Sequence, residues 1–187
     1  MSVIYRSILD KVGVGLLCLT LLSLACNPLG ILTSSTGIED NDRGVDNEEQ
    51  GQTDSAIDEF DEAIALDPQA AEAYSNRGNA YYRKGDYDQA ITDFNQAIAL
   101  DPQYALAYGN RGYAYINAGD DDKAIADLNQ AIALDPQYAL AYANRGYAYY
   151  NLGDDDKAIA DYERALELGL EPSDHKAVEE LLKELGQ

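Results

Sequence analysis

Between Tyr74 and Ala165 the chain repeats with a period of 34 residues, and a period of this size dictates the whole fold. Tyr74-Ser75-Asn76-Arg77-Gly78 returns as Tyr108-Gly109-Asn110-Arg111-Gly112 and again as Tyr142-Ala143-Asn144-Arg145-Gly146. Ala90-Ile91 returns as Ala124-Ile125 and Ala158-Ile159, while Ala97, Ala131 and Ala165 keep the same step. Asp101-Pro102 and Asp135-Pro136 close the first two units. Gly78, Gly112 and Gly146 fall inside a helical stretch, where Gly costs about 1 kcal/mol relative to Ala. A loss kept in every copy requires a steric cause, and the close approach of a paired second helix supplies one. Ala90, Ala97 and their equivalents keep that facing surface narrow. Gly85, Gly119 and Gly153 end the first helix, where a left-handed residue is needed. Asp86, Asp120 and Asp154 follow at once and can cap the second helix.

These residues resemble the tetratricopeptide repeat. Its pattern is an aromatic, Gly and an aromatic on the first helix, then Ala, an aromatic and Ala on the second, then Pro. Unit one, 71–104, supplies Tyr74, Gly78, Tyr81, Ala90, Phe94, Ala97 and Pro102. Unit two, 105–138, supplies Tyr108, Gly112, Tyr115, Ala124, Leu128, Ala131 and Pro136. Unit three, 139–172, supplies Tyr142, Gly146, Tyr149, Ala158, Tyr162 and Ala165, with its proline displaced to Pro172. The resemblance implies an all-α fold, a right-handed α-solenoid of helix-turn-helix units. A worn unit precedes these three. Ala56, Phe60, Ala63 and Pro68 fit its second helix, over 54–70, and Arg43-Gly44 lines up with Arg77-Gly78. Asp40 and Asn47 stand where its first-helix aromatics belong, so that helix is expected to be poorly formed or absent. Residues 173–187 carry Val178, Leu181, Leu182 and Leu185 at helical spacing without the repeat's Gly and aromatics, and read as a capping helix.

The amino terminus has a different character. Arg6 and Lys11 precede an apolar run from Val12 to Ala25. That run is shorter than the roughly 20 residues of a spanning helix and fits the core of a signal peptide, residues 1–25. It ends in Leu22-Ser23-Leu24-Ala25-Cys26, which resembles the lipobox of bacterial lipoproteins, with Ser23 where that family prefers Leu. The resemblance implies lipidation of Cys26 and a lipid-anchored protein of the bacterial cell envelope, facing the periplasm or the cell exterior. Asn27, rather than Asp, implies the outer membrane where there are two membranes. Secretion, or an uncleaved N-terminal helix as anchor, is the alternative. Residues 26–53 are Gly-, Ser-, Asn- and acid-rich, and read as a flexible polar tether that includes the degenerate first helix. As a coil of about 25 residues, such a tether reaches roughly 25–30 Å.

Charge and residue chemistry exclude several functions. Thirty-four acidic residues against 13 basic ones give a net charge of -21. Nucleic-acid binding needs clustered Lys and Arg to displace counterions, so no nucleic-acid partner is expected. The acidity instead favours basic partners. The only cysteines, Cys18 and Cys26, precede the repeats, which therefore have no thiol nucleophile, disulfide or cysteine metal site. The sole histidine, His175, lies in the capping helix, and no Gly-rich loop follows a strand. Neither an enzyme nor a cofactor is expected. Asp120-Asp121-Asp122 and Asp154-Asp155-Asp156 lack the alternation and distal Glu of a calcium loop, so no metal is expected. Negative charge at a helix start is favourable by itself. Arg77, Arg111 and Arg145 are each followed 16 residues later by an acid, Asp93, Asp127 and Asp161, and even the worn unit has Arg43 and Glu59. We read these as ion pairs between the two helices of a unit, not as a phosphate site.

The family resemblance implies a concave face, made mainly by first helices, that binds peptides. It places Asn76, Asn110 and Asn144 there, one per unit. Asn offers both a donor and an acceptor, so it can pair with a peptide backbone without reading its side chains. Further along the same helices come Asn79, Tyr113 and Tyr147, then Tyr82, Ile116 and Tyr150, then Arg83, Asn117 and Asn151. Tyr and Asn thus line the expected groove, with Tyr giving large contact area at low entropic cost. Chaperone-binding members of the family hold a terminal carboxylate with Lys and Arg beside two Asn. Asn79 and Asn110 occupy the Asn places, but Ser75, Leu140 and Asn144 stand where the cations belong, so that partner class is excluded. The expectation is a membrane-tethered scaffold holding a protein or peptide partner in its groove. The alternative is a self-associating stack, or an assembly lipoprotein of pilus or envelope biogenesis, without a dedicated peptide ligand.

Overall fold

Gly85, Gly119 and Gly153 adopt φ of +80°, +80° and +77°, and each ends a helix. The reversal that follows is encoded locally. Gly85 N–H donates to the Tyr82 carbonyl at 2.9 Å and Asp86 N–H to that of Tyr81 at 3.0 Å, so carbonyls left over by the helix are satisfied. Asp86 Oδ1 then accepts from Gln89 N–H at 3.2 Å and starts the next helix. Asp120 and Asp154 do the same with Lys123 and Lys157, both at 3.4 Å. At the turn between units, Asp101 and Asp135 accept from Gln103 and Gln137 N–H at 2.9 Å, and the intervening proline stops the helix.

The computed structural model describes residues 41, 44, 45 and 51–186. Helices α1 (Thr53–Leu66), α2 (Ala71–Arg83), α3 (Tyr87–Leu100), α4 (Ala105–Asn117), α5 (Asp121–Leu134), α6 (Ala139–Asn151), α7 (Asp155–Leu168) and α8 (Pro172–Glu184) follow one another, with no strand among the described residues. Pairing is sequential. α2 packs with α3, α4 with α5 and α6 with α7; α1 meets α2, α3 meets α4, α5 meets α6, and α8 meets α7. The result is an all-α solenoid of helix pairs. The stretch expected to be a signal peptide, Cys26 and nearly all of the expected tether lie outside the described residues. None of the described helices is long and apolar enough to cross a membrane.

The glycines inside the first helices have the steric cause that their recurrence demands. A Cβ on Gly78 would lie 2.8 Å from the Phe94 ring, on Gly112 2.8 Å from Leu128 Cγ, and on Gly146 2.9 Å from the Tyr162 ring. Those three second-helix residues are at most 1 % exposed. Burying each contributes about 1.5–3 kcal/mol. The flanking Ala90, Ala97, Ala124, Ala131, Ala158 and Ala165 are fully buried. The worn unit repeats the arrangement. Gly44 is buried against Phe60, and Asn41, Gly44 and Val45 are helical. Gly44 and Val45 pack on the cluster of Ala56, Ile57 and Phe60, and the rest of that unit's first helix lies outside the described residues.

Each repeat arginine clasps two helices. Arg77 Nε and Nη2 donate to both Asp93 oxygens at 2.8 and 2.6 Å, the expected pair within a unit. Its Nη1 donates to Asp61 Oδ1 of the preceding unit at 2.5 Å. Arg111 holds Asp127 at 2.6 Å through both bonds and Asn95 Oδ1 at 2.6 Å. Arg145 holds Asp161 at 2.7 Å through both bonds and Asn129 Oδ1 at 2.6 Å. The guanidinium fork matches a carboxylate and leaves a further donor for the neighbour. Each guanidinium also sits 5.5–5.6 Å from a tyrosine ring centre, Tyr74, Tyr108 or Tyr142. Its hydrogen bonds to Asp93 hold the Arg77 guanidinium above the usual arginine range. The ladder fixes unit to unit, and so sets how the first helices stand beside one another.

Candidate functional site

First helices touch each other as well as their partners: α2 meets α4, and α4 meets α6. Residues one period apart therefore come together. Tyr150 hydroxyl, on α6, donates to Glu184 Oε2, on α8, at 3.4 Å. The Tyr82 ring lies 5.0 Å from that of Tyr113 and 5.5 Å from that of Tyr87. Tyr147 and Tyr150 stack at 6.3 Å with planes 19° apart. Tyr113 and Tyr147 are each 40 % exposed, large aromatic surfaces open to solvent along this face. Burial, and then the Tyr113 hydroxyl, push the Tyr82 hydroxyl's pKa above its ordinary value.

The asparagines divide into two groups. Asn76, Asn79, Asn110 and Asn144 are half-buried. Asn76 Nδ2 donates to Asn41 Oδ1 at 3.0 Å. Asn79, Asn110 and Asn144 have no side-chain hydrogen-bond partner among the described residues. Asn117 and Asn151 are exposed and already engaged: Asn117 Nδ2 donates to the Tyr113 carbonyl at 2.9 Å, and Asn151 Nδ2 to Asp121 Oδ1 at 3.0 Å. A half-buried amide whose donor and acceptor are idle can take a guest's backbone in place of water.

Ile116 departs from the expected groove lining. It is only 7 % exposed and packs in the core with Ala124, Leu128 and Ala148. Its counterparts Tyr82 and Tyr150 each carry a polar tip that must stay near water, whereas Ile116 has none and turns inward.

Four of the expected residues meet at one place. Tyr113, Asn117, Asn144 and Tyr147 line a cavity of about 300 Å³ between α4, α6 and α8. Leu140, Ala143, Tyr162, Asp174, Ala177, Val178 and Leu181 complete it, and none of these was expected in the groove. A signal for two of them was present. Val178 stands one period after Asn144, and Leu181 one period after Tyr147, so α8 occupies the place of a fourth first helix. Asn76, Asn79, Tyr82, Asn110, Tyr150 and Asn151 lie outside this cavity.

Family models described as tetratricopeptide repeat match residues 71–104 and 139–168, and residues 94–126. A further model, described as TPR repeat, matches 49–85 and 112–153. Among solved structures, MamA is 30% identical, with a TM-score of 0.66 over 78% of this chain and 82% of that one. TTC0263, a thermophilic TPR protein of Thermus thermophilus, is 26% identical, with a TM-score of 0.73 over 81% of this chain and 84% of that one. The second TPR domain of human RPAP3, solved in complex with an HSP70 peptide, SGPTIEEVD, is 30% identical, with a TM-score of 0.58 over 60% of this chain and 93% of that one. No curated protein matches the chain.

Proposed function

Since the chain belongs to the tetratricopeptide repeat family, we propose that it is a protein-binding scaffold that holds an extended peptide of its partner along the first-helix face. The observation that carries this reading is the pair Asn110 and Asn144, half-buried and unpartnered among the described residues, beside the exposed rings of Tyr113 and Tyr147. The amides serve the peptide backbone and the rings its side chains. The RPAP3 domain's peptide, SGPTIEEVD, has three acidic residues among its last four. This chain has Ser75, Leu140 and Asn144 where a carboxylate clamp needs cations, and a net charge of -21, so a neutral or basic peptide suits it better.

The test is recovery of partners from an envelope extract by the full chain and by the Asn110→Ala/Asn144→Ala variant, with circular dichroism confirming equal folding. Loss of bound partner in the variant supports the reading, and equal recovery by both refutes it. We place the scaffold at the bacterial envelope, tethered through Cys26, on the strength of Leu22-Ser23-Leu24-Ala25-Cys26 and the charged and apolar segments before it. Labelling with an alkyne fatty acid in a bacterial host checks the anchor: the native chain takes up label and Cys26→Ala does not. Label retained by Cys26→Ala removes the lipoprotein assignment.

A further inference from the structure

Tyr162 is the one second-helix residue of its row that carries a polar atom; Phe94 and Leu128 hold the equivalent places. Its side chain is fully buried, pinned beneath α6 at Gly146, and its hydroxyl has no hydrogen-bond partner among the described residues. Burial, followed by the neighbouring Tyr147 and Tyr150, raises the hydroxyl's pKa and keeps it neutral. An orphaned hydroxyl in a core is unfavourable, and phenylalanine would fill the same space without it. Tyr162 lines the cavity between α4, α6 and α8, as do Asn144 and Asp174. Asp174 is half-buried and makes no ion pair among the described residues. Leu140, Val178 and Leu181 form apolar walls. No lysine or arginine lines the cavity.

We propose that this cavity is a side-chain pocket for a lysine or arginine of the partner peptide, with the alkyl stem against the apolar walls and the charge met by Asp174. The proposal rests on the peptide-groove reading and adds the specificity of one position. An apolar guest would desolvate Asp174 and leave the Asn144 amide and the Tyr162 hydroxyl unpaired. An anionic guest would face Asp174 with no cation to hold it. A cationic guest balances the one charge present. Its donors have oxygen acceptors on Asp174 and Asn144, with the Tyr162 hydroxyl oxygen beneath them, and the exposed Tyr113 and Tyr147 side chains line the same cavity. Tyrosines of this chain already receive cations in that way, as Lys157 does over Tyr149 at 4.9 Å from its ring centre. The volume of about 300 Å³ accommodates one long side chain. The Tyr162 hydroxyl is buried in this structure, so a guest reaches it only by a side-chain movement at the cavity floor.

The experiment uses the full chain and fluorescent decapeptides of alanine and glycine that carry a single central guest: Lys, Arg, Gln, Leu or Glu. Anisotropy titrations should show the Lys and Arg guests binding about tenfold more tightly than Gln or Leu, with Glu weakest. Asp174→Asn should abolish that preference while the Leu guest binds as before. Glu180→Gln, which alters an exposed acid outside the cavity, should leave it intact. Asn110→Ala should weaken every guest alike. Tyr162→Phe, which keeps the ring, should fold normally and weaken only the cationic guests, by about threefold. A preference that survives Asp174→Asn overturns the pocket, because the net charge of the chain would then explain it. Equal affinity for all guests, or tightest binding of Leu, overturns the pocket and leaves the groove standing. Failure of every decapeptide to bind overturns both.

Discussion

Arg111→Ala tests whether the arginine ladder holds the solenoid together. Arg111 bridges three helices: it is on α4, bonds Asp127 on α5 twice at 2.6 Å, and bonds Asn95 on α3 once at 2.6 Å. The side chains of Arg111 and Asp127 are 17% and 11% exposed, so the pair is mostly but not fully removed from water. Truncating the arginine leaves Asp127 buried without its cation, which costs about 3 kcal/mol, the low end for a buried pair because some water reaches it. The lost bond to Asn95 adds about 1 kcal/mol. At about 3 °C per kcal/mol for an ordered region of this size, the melting temperature should fall by about 12 °C. Thermal and urea melts of the full chain, followed by circular dichroism, measure this. Arg111→Lys keeps the charge but not the fork, and should recover less than half of the loss. Arg111→Ala combined with Asp127→Ala should be milder than the sum of the two by about 2 kcal/mol, because neither charge is then stranded. A fall of less than about 3 °C, or additive single variants, would show that water serves these groups as well as the ladder does, and the reasoning would fail.

Other consequences are equally open to measurement. Gly112→Ala should destabilise by about 1–2 kcal/mol despite the better helix propensity of alanine, because the new Cβ would lie 2.8 Å from Leu128 Cγ and 3.3 Å from the Ala124 carbonyl oxygen. A stabilised variant in urea titration would show that the two helices can part freely. Ile116→Ala should lower stability by about 2–4 kcal/mol, as for a core residue, and leave peptide affinity unchanged; the opposite pattern would return Ile116 to the groove. Tyr162 has a pKa raised above the ordinary 10.0, so the folded chain keeps a proton that the unfolded chain releases. Its contribution is complete below pH 10 and is lost as pH climbs from there toward the raised folded value. Tyr138 and Tyr104 are shifted the same way, also by burial. Melting temperature should therefore fall above about pH 10, less steeply in Tyr162→Phe than in the native chain. Parallel curves for the two would show that Tyr162 ionises as freely in the fold as out of it.

What the sequence made legible was governed by spacing, and what it hid was governed by side-chain identity at a few places. The nesting of Gly112 over Leu128 follows from a missing Cβ repeated at a fixed distance, and the pairing of Arg111 with Asp127 from opposite charges at the same distance. The outer arm of the ladder obeys the same spacing in the other direction, yet its acceptors are Asp61, Asn95 and Asn129. The charge pattern breaks there, and the arm escapes notice, although a guanidinium needs an oxygen and not a charge. Ile116 escapes for the converse reason. Its position belongs to the row of Tyr82 and Tyr150, but without a hydroxyl nothing keeps it near solvent. The cavity was invisible because α8 lacks the repeat's glycine and aromatics, so its register as a fourth first helix went unread. In an array of near-copies, identity of sequence between units reports duplication as readily as use. α8 brings to the last unit what the copied units do not have. Val178 falls in the asparagine row and Leu181 in the row of Tyr113 and Tyr147, and both line the cavity beside Asn144 and Tyr147. Apolar walls contributed by a helix that is not a copy cannot be put down to duplication, which is why the side-chain pocket is proposed at that end and not along the repeated units.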